Sequence, residues 1–265
     1  MAAVQVSSGG VVVADRLAKL QKLPVLGICG ADVQQRQAFA GTLLRYLQEH
    51  GCSARLFSGG HCQSHDSLKK LQQQALVHDA LLVEGPGPSP FHHVVVQKDR
   101  SIIPGWHSTH PLSQSDALEF ARLQLEHAWL QSPLWGCVLI GGKSRRMGSP
   151  KHLIVEHGVT WVERSVQLLS SLTDRIVISG AGALPQPLKN MQQIEDEPGL
   201  GGPIAGVLSV MRHNPEVSWL VAACDLPDMR IEALQWLLEQ RKMGIHAVMP
   251  DMEGKGRETS IGRRM

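Results

Sequence analysis

Short apolar runs alternate with longer amphipathic stretches along this chain, and that alternation restricts the fold more than any other feature. In the first half, predicted strands at 24–28, 53–57 and 79–85 are separated by helical patterns. In the stretch 35–50, for example, four apolar residues recur at three- and four-residue spacing on one face. Strands that alternate with helices are typical of a parallel sheet covered by helices. The sequence therefore predicts an α/β fold with mainly parallel sheets.

A break in this pattern divides the chain into two predicted domains. The segment Gln131-Ser132-Pro133 follows a helical stretch and precedes a new apolar run. A chain of 265 residues is long enough for two modest domains, each with its own core. We predict one domain over residues 1–131 and a second over residues 132–265.

Composition argues against several classes of function. The net charge of +2 and the single tyrosine do not suit a nucleic-acid-binding surface. No apolar run reaches transmembrane length, so we expect no membrane partner. The five cysteines are scattered without a C-x-x-C pair, which suits reduced thiols and a cytoplasmic location.

The predicted second domain begins with a motif that is typical of phosphate binding. The apolar run 134–140 predicts a buried strand, and Gly141-Gly142 follows where that strand should turn. Glycine lets the backbone approach a ligand closely, and four cations follow it: Lys143, Arg145, Arg146 and Lys151. Backbone N–H groups and cationic side chains can share one polyanion. The stretch predicts a phosphate site, although an ordinary glycine turn with solvent-facing cations has the same pattern.

The order of residues in this motif resembles the signature of the nucleotidyltransferase family that includes molybdenum cofactor guanylyltransferase. In that family a strand ends in Leu-x-Gly-Gly, and a Ser-x-Arg-Met-Gly-like run and a lysine follow. The residues that match here are Leu139, Gly141, Gly142, Ser144, Arg146, Met147, Gly148 and Lys151. Pro150 stands where many members have aspartate. The resemblance implies a Rossmann-like nucleotidyltransferase fold for the second domain.

Two later stretches extend the resemblance. Asp196 precedes the run 201–206, which is similar to a Gly-Pro-Leu-Ala-Gly segment that opens a helix in the family. Asp225, in a Cys-Asp-x-Pro stretch, comes directly after a predicted buried strand. The resemblance implies that Asp196 faces guanine and that Asp225 binds Mg²⁺. A carboxylate past a strand end also lies where open α/β folds bind ligands. Taken alone, Asp196 would equally suit a helix-entry turn, and an aspartate such as Asp225 at a strand end is most often a turn residue.

The resemblance implies a function: magnesium-dependent transfer of GMP from GTP to the phosphate of molybdenum-molybdopterin. It implies Mg²⁺ as cofactor, GTP and a molybdopterin-type acceptor as partners, and molybdoenzymes or cofactor-assembly proteins as further candidate partners. The residues with implied catalytic roles are Arg146, Lys151 and Asp225, and those that would shape the nucleotide pocket are Leu139, Ile140, Gly141, Gly142 and Asp196. Two alternatives stay open. One is a non-catalytic nucleotide-binding adaptor in cofactor assembly, and the other is a different pterin or sugar-phosphate nucleotidyltransferase.

The first domain resembles the P-loop partner protein of molybdenum cofactor guanylylation. The resemblance lies in a strand, glycine loop and helix over 26–47 and in a Leu-Leu-Val-Glu-Gly strand end. A working P-loop needs Gly-Lys-Ser/Thr, and the matching residues here are Gln35, Arg36 and Gln37. Because the lysine and the hydroxyl are both missing, we predict that this degenerate loop does not support GTP hydrolysis.

The end of the sequence departs from the family pattern. Family members normally continue with further helices and strands that carry acceptor contacts and another acidic metal ligand, whereas residues 254–265 are polar and basic. We expect a second domain that is truncated at its C-terminus, a tail without regular structure, and impaired catalysis.

Overall fold

The computed structural model describes residues 23–58, 64–87, 89–97, 99–105, 110–141, 150–250 and 259–262. Contacts between residues divide the chain into two compact units. Unit 1 comprises Met1–Ser132 and Lys242–Gly244, and unit 2 comprises Pro133–Arg241 and Ile245–Met265.

Unit 1 contains a five-stranded sheet in the order β2-β3-β1-β4-β5. The first four strands in this order are parallel, and β5 is antiparallel to β4. The elements in chain order are β1 (Val25–Cys29), α1 (Val33–Glu49), β2 (Ala54–Ser58), α2 (His65–Ala75), β3 (Ala80–Gly85), β4 (His93–Val96), β5 (Ile102–Pro104) and α3 (Gln114–Leu130).

Helices cover both faces of this sheet because the strands are apolar on both sides. Leu26 and Ile28 of β1 pack with residues of α1 and α3, whereas Val25 packs with residues of α2. Successive side chains of a strand point to opposite faces, so one strand contributes to both cores. Continuous apolar strands of this kind are typical of buried parallel sheets.

Unit 2 contains a six-stranded sheet in the order β10-β9-β6-β11-β13-β12 and a two-stranded sheet of β7 and β8. Strands β10, β9, β6 and β11 are mutually parallel. The elements in chain order are β6 (Leu134–Leu139), β7 (Val155–Glu156), β8 (Val159–Thr160), α4 (Trp161–Ser170), β9 (Arg175–Ser179), β10 (Gln193–Ile194), α5 (Pro203–His213), β11 (Ser218–Ala223), α6 (Ile231–Glu239), β12 (Ala247–Val248) and β13 (Thr259–Gly262). Short 3₁₀ turns lie at Lys151–Leu153 and Gln186–Leu188.

The core of unit 2 also has two layers. Val138 packs with residues of α4 and α6, and its neighbour Cys137 packs on the opposite face with Val210 of α5. Helix α4 begins with a capping box in which Thr160 and Glu163 satisfy each other's backbone N–H groups. The structure confirms the predicted α/β class with mainly parallel sheets.

The prediction that the tail lacks regular structure is wrong for Thr259–Gly262. This segment forms β13, which pairs antiparallel with both β11 and β12. The physical reason is that the edge of β11 offers a row of backbone donors and acceptors, and Thr259 and Ile261 carry β-branched side chains that favour strands. Polar composition alone was a poor guide here because the sheet supplies the pairing partners.

None of the helices formed by the described residues is both long enough and apolar enough to cross a membrane.

Candidate functional site

Four parallel strands of unit 2 end at one cleft. Residues at the carboxyl ends of β6, β9 and β11 line it, together with Asp196, which lies two residues past β10. The cleft has a volume of about 630 Å³, which suits a small-molecule ligand. The lining residues are Leu139, Ile140, Gly141, Lys151, Ser179, Asp196, Gly201, Gly202, Pro203, Gly206, Ala223, Cys224 and Asp225. Open parallel sheets bind ligands at this edge.

Lys151 and Asp225 form an ion pair in the cleft. The Lys151 ammonium donates to Asp225 Oδ2 over 2.8 Å, and both side chains are a little over one-third exposed. The hydrogen bond and charge of Asp225 raise the pKa of Lys151 above its ordinary value. The lysine therefore stays cationic at neutral pH, and the cleft presents one cation and one anion within contact distance of each other.

Backbone hydrogen bonds beyond the strand ends hold the residues around this pair. The Cys224 N–H donates to the Leu139 carbonyl over 3.1 Å, and the Ile140 N–H donates to the Ser179 carbonyl over 2.8 Å. The parallel ladder thus continues to the residue next to Asp225. Cys224 itself is buried, and burial raises the pKa of its thiol to about 11, so this sulfur is a neutral part of the wall at neutral pH.

The N-terminus of helix α5 forms another wall of the cleft. Gly202 is the N-cap residue with φ of 76°, a conformation that favours glycine, and Pro203 begins the helix. The positive end of the helix dipole and its free N–H groups therefore lie beside the cleft, where they favour an anion. This arrangement comes from the Gly-Gly-Pro stretch that the sequence analysis singled out.

Gly206 allows close packing between α5 and the strand ends. A Cβ atom at this position would lie 2.8 Å from Ser179 Oγ, 2.9 Å from Leu139 Cδ2 and 3.3 Å from Asp196 Oδ1. The Ser179 hydroxyl already donates to the Gly206 carbonyl over 3.2 Å. A methyl group at this position therefore fits only if the side chains of Ser179 and Leu139 shift.

We expect Gly206→Ala to destabilise unit 2 by about 1–3 kcal/mol, the usual cost of overpacking a tight site. Gly201→Ala is the matched control, since a Cβ atom there meets nothing within 4 Å. Chemical denaturation of both variants checks this expectation. Equal stabilities of the two variants would show that the wall adapts to the methyl group without cost.

The structure brings together six of the predicted site residues. All of them line the cleft: Leu139, Ile140, Gly141, Lys151, Asp196 and Asp225. Gly142 and Arg146, which were also predicted, lie outside the described residues. Ser179 also lines the cleft but was not predicted as a site residue, and its position after the apolar run Ile176-Val177-Ile178 was the signal that could have identified it.

The carboxylate of Asp225 could bind a magnesium ion only if a bound substrate supplied further oxygen atoms. Among the described residues, no group of three or more His, Cys, Asp or Glu side chains could hold a metal ion. Mg²⁺, however, is commonly bound through one or two carboxylates together with substrate phosphates. The Asp225 carboxylate is a hard oxygen donor that already pairs with the Lys151 cation. The residues present therefore fit an Mg²⁺ ion that Asp225 and a bound phosphate chain would hold together.

The degenerate loop of unit 1 has a different arrangement. Arg36 is buried, forms an ion pair with the buried Glu84 and donates to the Gly30 carbonyl. Asp32 caps α1 by accepting from the Gln35 N–H over 3.0 Å. The positive charge of Arg36 is therefore balanced by Glu84 inside the unit. That this loop does not support hydrolysis stays a prediction.

The second half of the chain is similar to known proteins. Residues 136–264 match the family model described as the MobA-like NTP transferase domain. A Synechocystis sp. protein named molybdenum cofactor biosynthesis bifunctional protein is 33% identical over 128 residues, which is 48% of this chain and 37% of that protein. A probable molybdenum cofactor guanylyltransferase from Bacillus cereus is 32% identical over 125 residues, which is 45% of this chain and 62% of that protein.

A solved structure also matches this half. It is molybdopterin-guanine dinucleotide biosynthesis protein A from Archaeoglobus fulgidus, with 25% identity and a TM-score of 0.40, covering 49% of this chain and 67% of that one. The chain spans less than two thirds of the length of the two curated relatives from Synechocystis sp. and Bacillus cereus. The match to the family model covers residues 136–264, a little under half of the chain.

Proposed function

We propose that unit 2 transfers GMP from GTP to the phosphate of a molybdopterin-type acceptor and releases pyrophosphate, with Mg²⁺ as cofactor. The observation that carries the proposal is the cleft at the carboxyl ends of the parallel strands, where a lysine, an aspartate and a helix N-terminus meet. The names of the relatives, which refer to guanylyl transfer and to the molybdenum cofactor, support the choice of a guanine nucleotide and of an acceptor related to that cofactor.

Two groups of unit 2 bind the phosphates of GTP in this proposal. Lys151 provides a positive charge, and the N-terminus of α5 provides backbone donors and the positive end of its dipole. Gly141 follows β6 with φ of 135°, and a Cβ atom there would meet nothing within 4 Å, so its backbone is open to a ligand. Asp196, at the far side of the cleft, accepts hydrogen bonds from the guanine base.

The reaction is an in-line displacement in which an oxygen of the acceptor phosphate attacks the α-phosphorus and pyrophosphate leaves. Asp225 would hold Mg²⁺, and the ion would supply positive charge that offsets the charge of the phosphates. The contribution of Lys151 is to orient the triphosphate and to stabilise the leaving pyrophosphate. Such catalysis depends on positioning and charge more than on covalent chemistry.

Because Lys151 contributes a charged hydrogen bond to phosphate in this proposal, Lys151→Ala should weaken GTP binding about tenfold or more. Titration of fluorescent GTP with magnesium, with and without the substitution, measures the effect. Lys189→Ala is the control, since this exposed lysine of unit 2 lies outside the cleft lining.

Titration of the other three nucleoside triphosphates tests the base. We expect GTP to bind most tightly, because a carboxylate at Asp196 can accept from two donors on the edge of guanine. Equal affinity for all four nucleotides would contradict the assignment of guanine, and binding of GTP by Lys151→Ala as tightly as by the Lys189→Ala control would contradict the role of Lys151.

A further inference from the structure

We propose that His152 is a positioning residue that fixes Lys151 in the cleft. The inference rests on the proposed function, in which Lys151 binds phosphate. His152 is the middle residue of the 3₁₀ turn Lys151–Leu153, and it is only 4% exposed although its neighbour Lys151 points into the open cleft. A buried histidine side chain needs a hydrogen-bond partner. The partner of His152 is the loop that follows strand β9.

The imidazole of His152 bonds to the loop that follows β9. Its Nε2 lies 3.0 Å from the carbonyl oxygen of Ala183, so Nε2 carries the proton and donates. The ring also packs against Gly182, where a Cβ atom would lie 3.0 Å from His152 Cε1. The loop 180–183 is therefore shaped around this ring, and no larger residue at position 182 would fit without moving it.

The loop itself is fixed from two further directions. The Gln193 side-chain amide donates to the carbonyls of Gly180 and Gly182, over 2.7 and 3.2 Å. Gly180 lies so close to the end of β6 that a Cβ atom there would overlap the Ile140 carbonyl oxygen. A rigid loop, held by β6 and β10, thus anchors the imidazole.

This anchor matters because a lysine side chain is long and flexible, and a short turn is a weak support for it. Within the part of the chain that the structure describes, the backbone hydrogen bonds inside the turn are Leu153 N–H to Pro150 and Ile154 N–H to Lys151. Ordering a lysine costs conformational entropy at the moment of binding, and a fixed Cα position reduces the range over which the ammonium moves. His152 supplies that fixed point one residue from the lysine.

A double-mutant cycle tests the proposal on the full chain. Glutamine places its amide nitrogen near the position of Nε2, so His152→Gln should keep the bond to Ala183, whereas the shorter asparagine of His152→Asn cannot reach. We expect His152→Asn to weaken binding of GTP with magnesium by up to about tenfold, the value of one hydrogen bond, and His152→Gln to stay within about twofold of the unsubstituted chain.

The second half of the cycle uses Lys151→Ala as the background. If His152 acts through Lys151, His152→Asn should then change GTP affinity by less than about twofold, because coupled residues are not additive. The same loss in both backgrounds would mean that His152 supports the fold in general, and it would overturn the proposal. Ser165→Ala, which removes a different buried hydrogen bond of unit 2, controls for general destabilisation.

A measurement without nucleotide separates this inference from the proposed function. Acetic anhydride at low concentration labels exposed amines, and mass spectrometry reports the rate for each lysine. In the unliganded chain we expect His152→Asn to raise the labelling rate of Lys151 severalfold, as its pair with Asp225 loosens, while Lys189 is unchanged. An unchanged Lys151 rate would contradict the positioning role. Failure of every variant to bind GTP would contradict the proposed function instead.

Discussion

Asp225→Asn is expected to abolish the magnesium dependence of GTP binding and to lower the rate of transfer by at least about 10²-fold, the size of effect seen when one electrostatic contact to the transition state is removed. Asparagine has nearly the same shape but no charge, so it is a far weaker ligand for a hard cation. The substitution also releases Lys151 from its ion pair. In magnesium-free buffer the variant should therefore bind GTP at least as tightly as the unsubstituted chain.

Titrations of GTP at several magnesium concentrations measure both parts of this prediction. Asp174→Asn is a control, because that carboxylate accepts from the Leu134 N–H at the opposite end of β6. A variant with asparagine at 225 that still needs magnesium for tight binding would show that another group holds the metal.

Arg36→Met is expected to destabilise unit 1 by about 3–5 kcal/mol. The substitution leaves the Glu84 carboxylate buried, at 2% exposure, without the cation that balances it. Removing one partner of a buried pair has this cost, whereas replacing both partners with apolar side chains is often neutral. The double substitution Arg36→Met with Glu84→Leu should therefore restore most of the lost stability.

Hydrogen exchange read by mass spectrometry assigns the loss to one unit. Peptides from α1 and β3 should lose protection in Arg36→Met, while peptides from β6 and β11 keep theirs. Arg122→Met is the control, because Arg122 pairs with Glu119 and Glu126 on a partly exposed helix face and such pairs contribute about 1 kcal/mol or less. Equal losses in Arg36→Met and Arg122→Met would contradict the assigned role of the buried pair.

The sequence predicted the parts of the fold that depend on local pattern. The predicted strands at 24–28, 79–85 and 134–140 correspond to β1, β3 and β6, because a short apolar run is a property of neighbouring residues. The position of β13 was not predicted, since Thr259–Gly262 pairs with the edge of β11, and the local sequence does not show which strand it pairs with.

For the candidate site too, the sequence predicted what depends on local motifs but not what depends on contacts between distant residues. The motif positions predicted a lysine and an aspartate near one ligand, and both line the cleft. Their direct pairing could not be predicted, because Lys151 and Asp225 are 74 residues apart and only the sheet brings them together. His152 gave no signal of its own, since a histidine after a lysine occurs in many surface turns.

Transfer of label from GTP to the acceptor tests the proposed reaction most directly. The full chain is incubated with magnesium, a molybdopterin-type acceptor and GTP that carries a radioactive label at either the α- or the γ-phosphorus. We predict that label enters the acceptor from the α position only, with one pyrophosphate released for each GMP transferred, and that Asp225→Asn lowers this rate by at least about 10²-fold. Tight binding of GTP without any label in the acceptor would contradict the proposed transferase activity and indicate a nucleotide-binding adaptor.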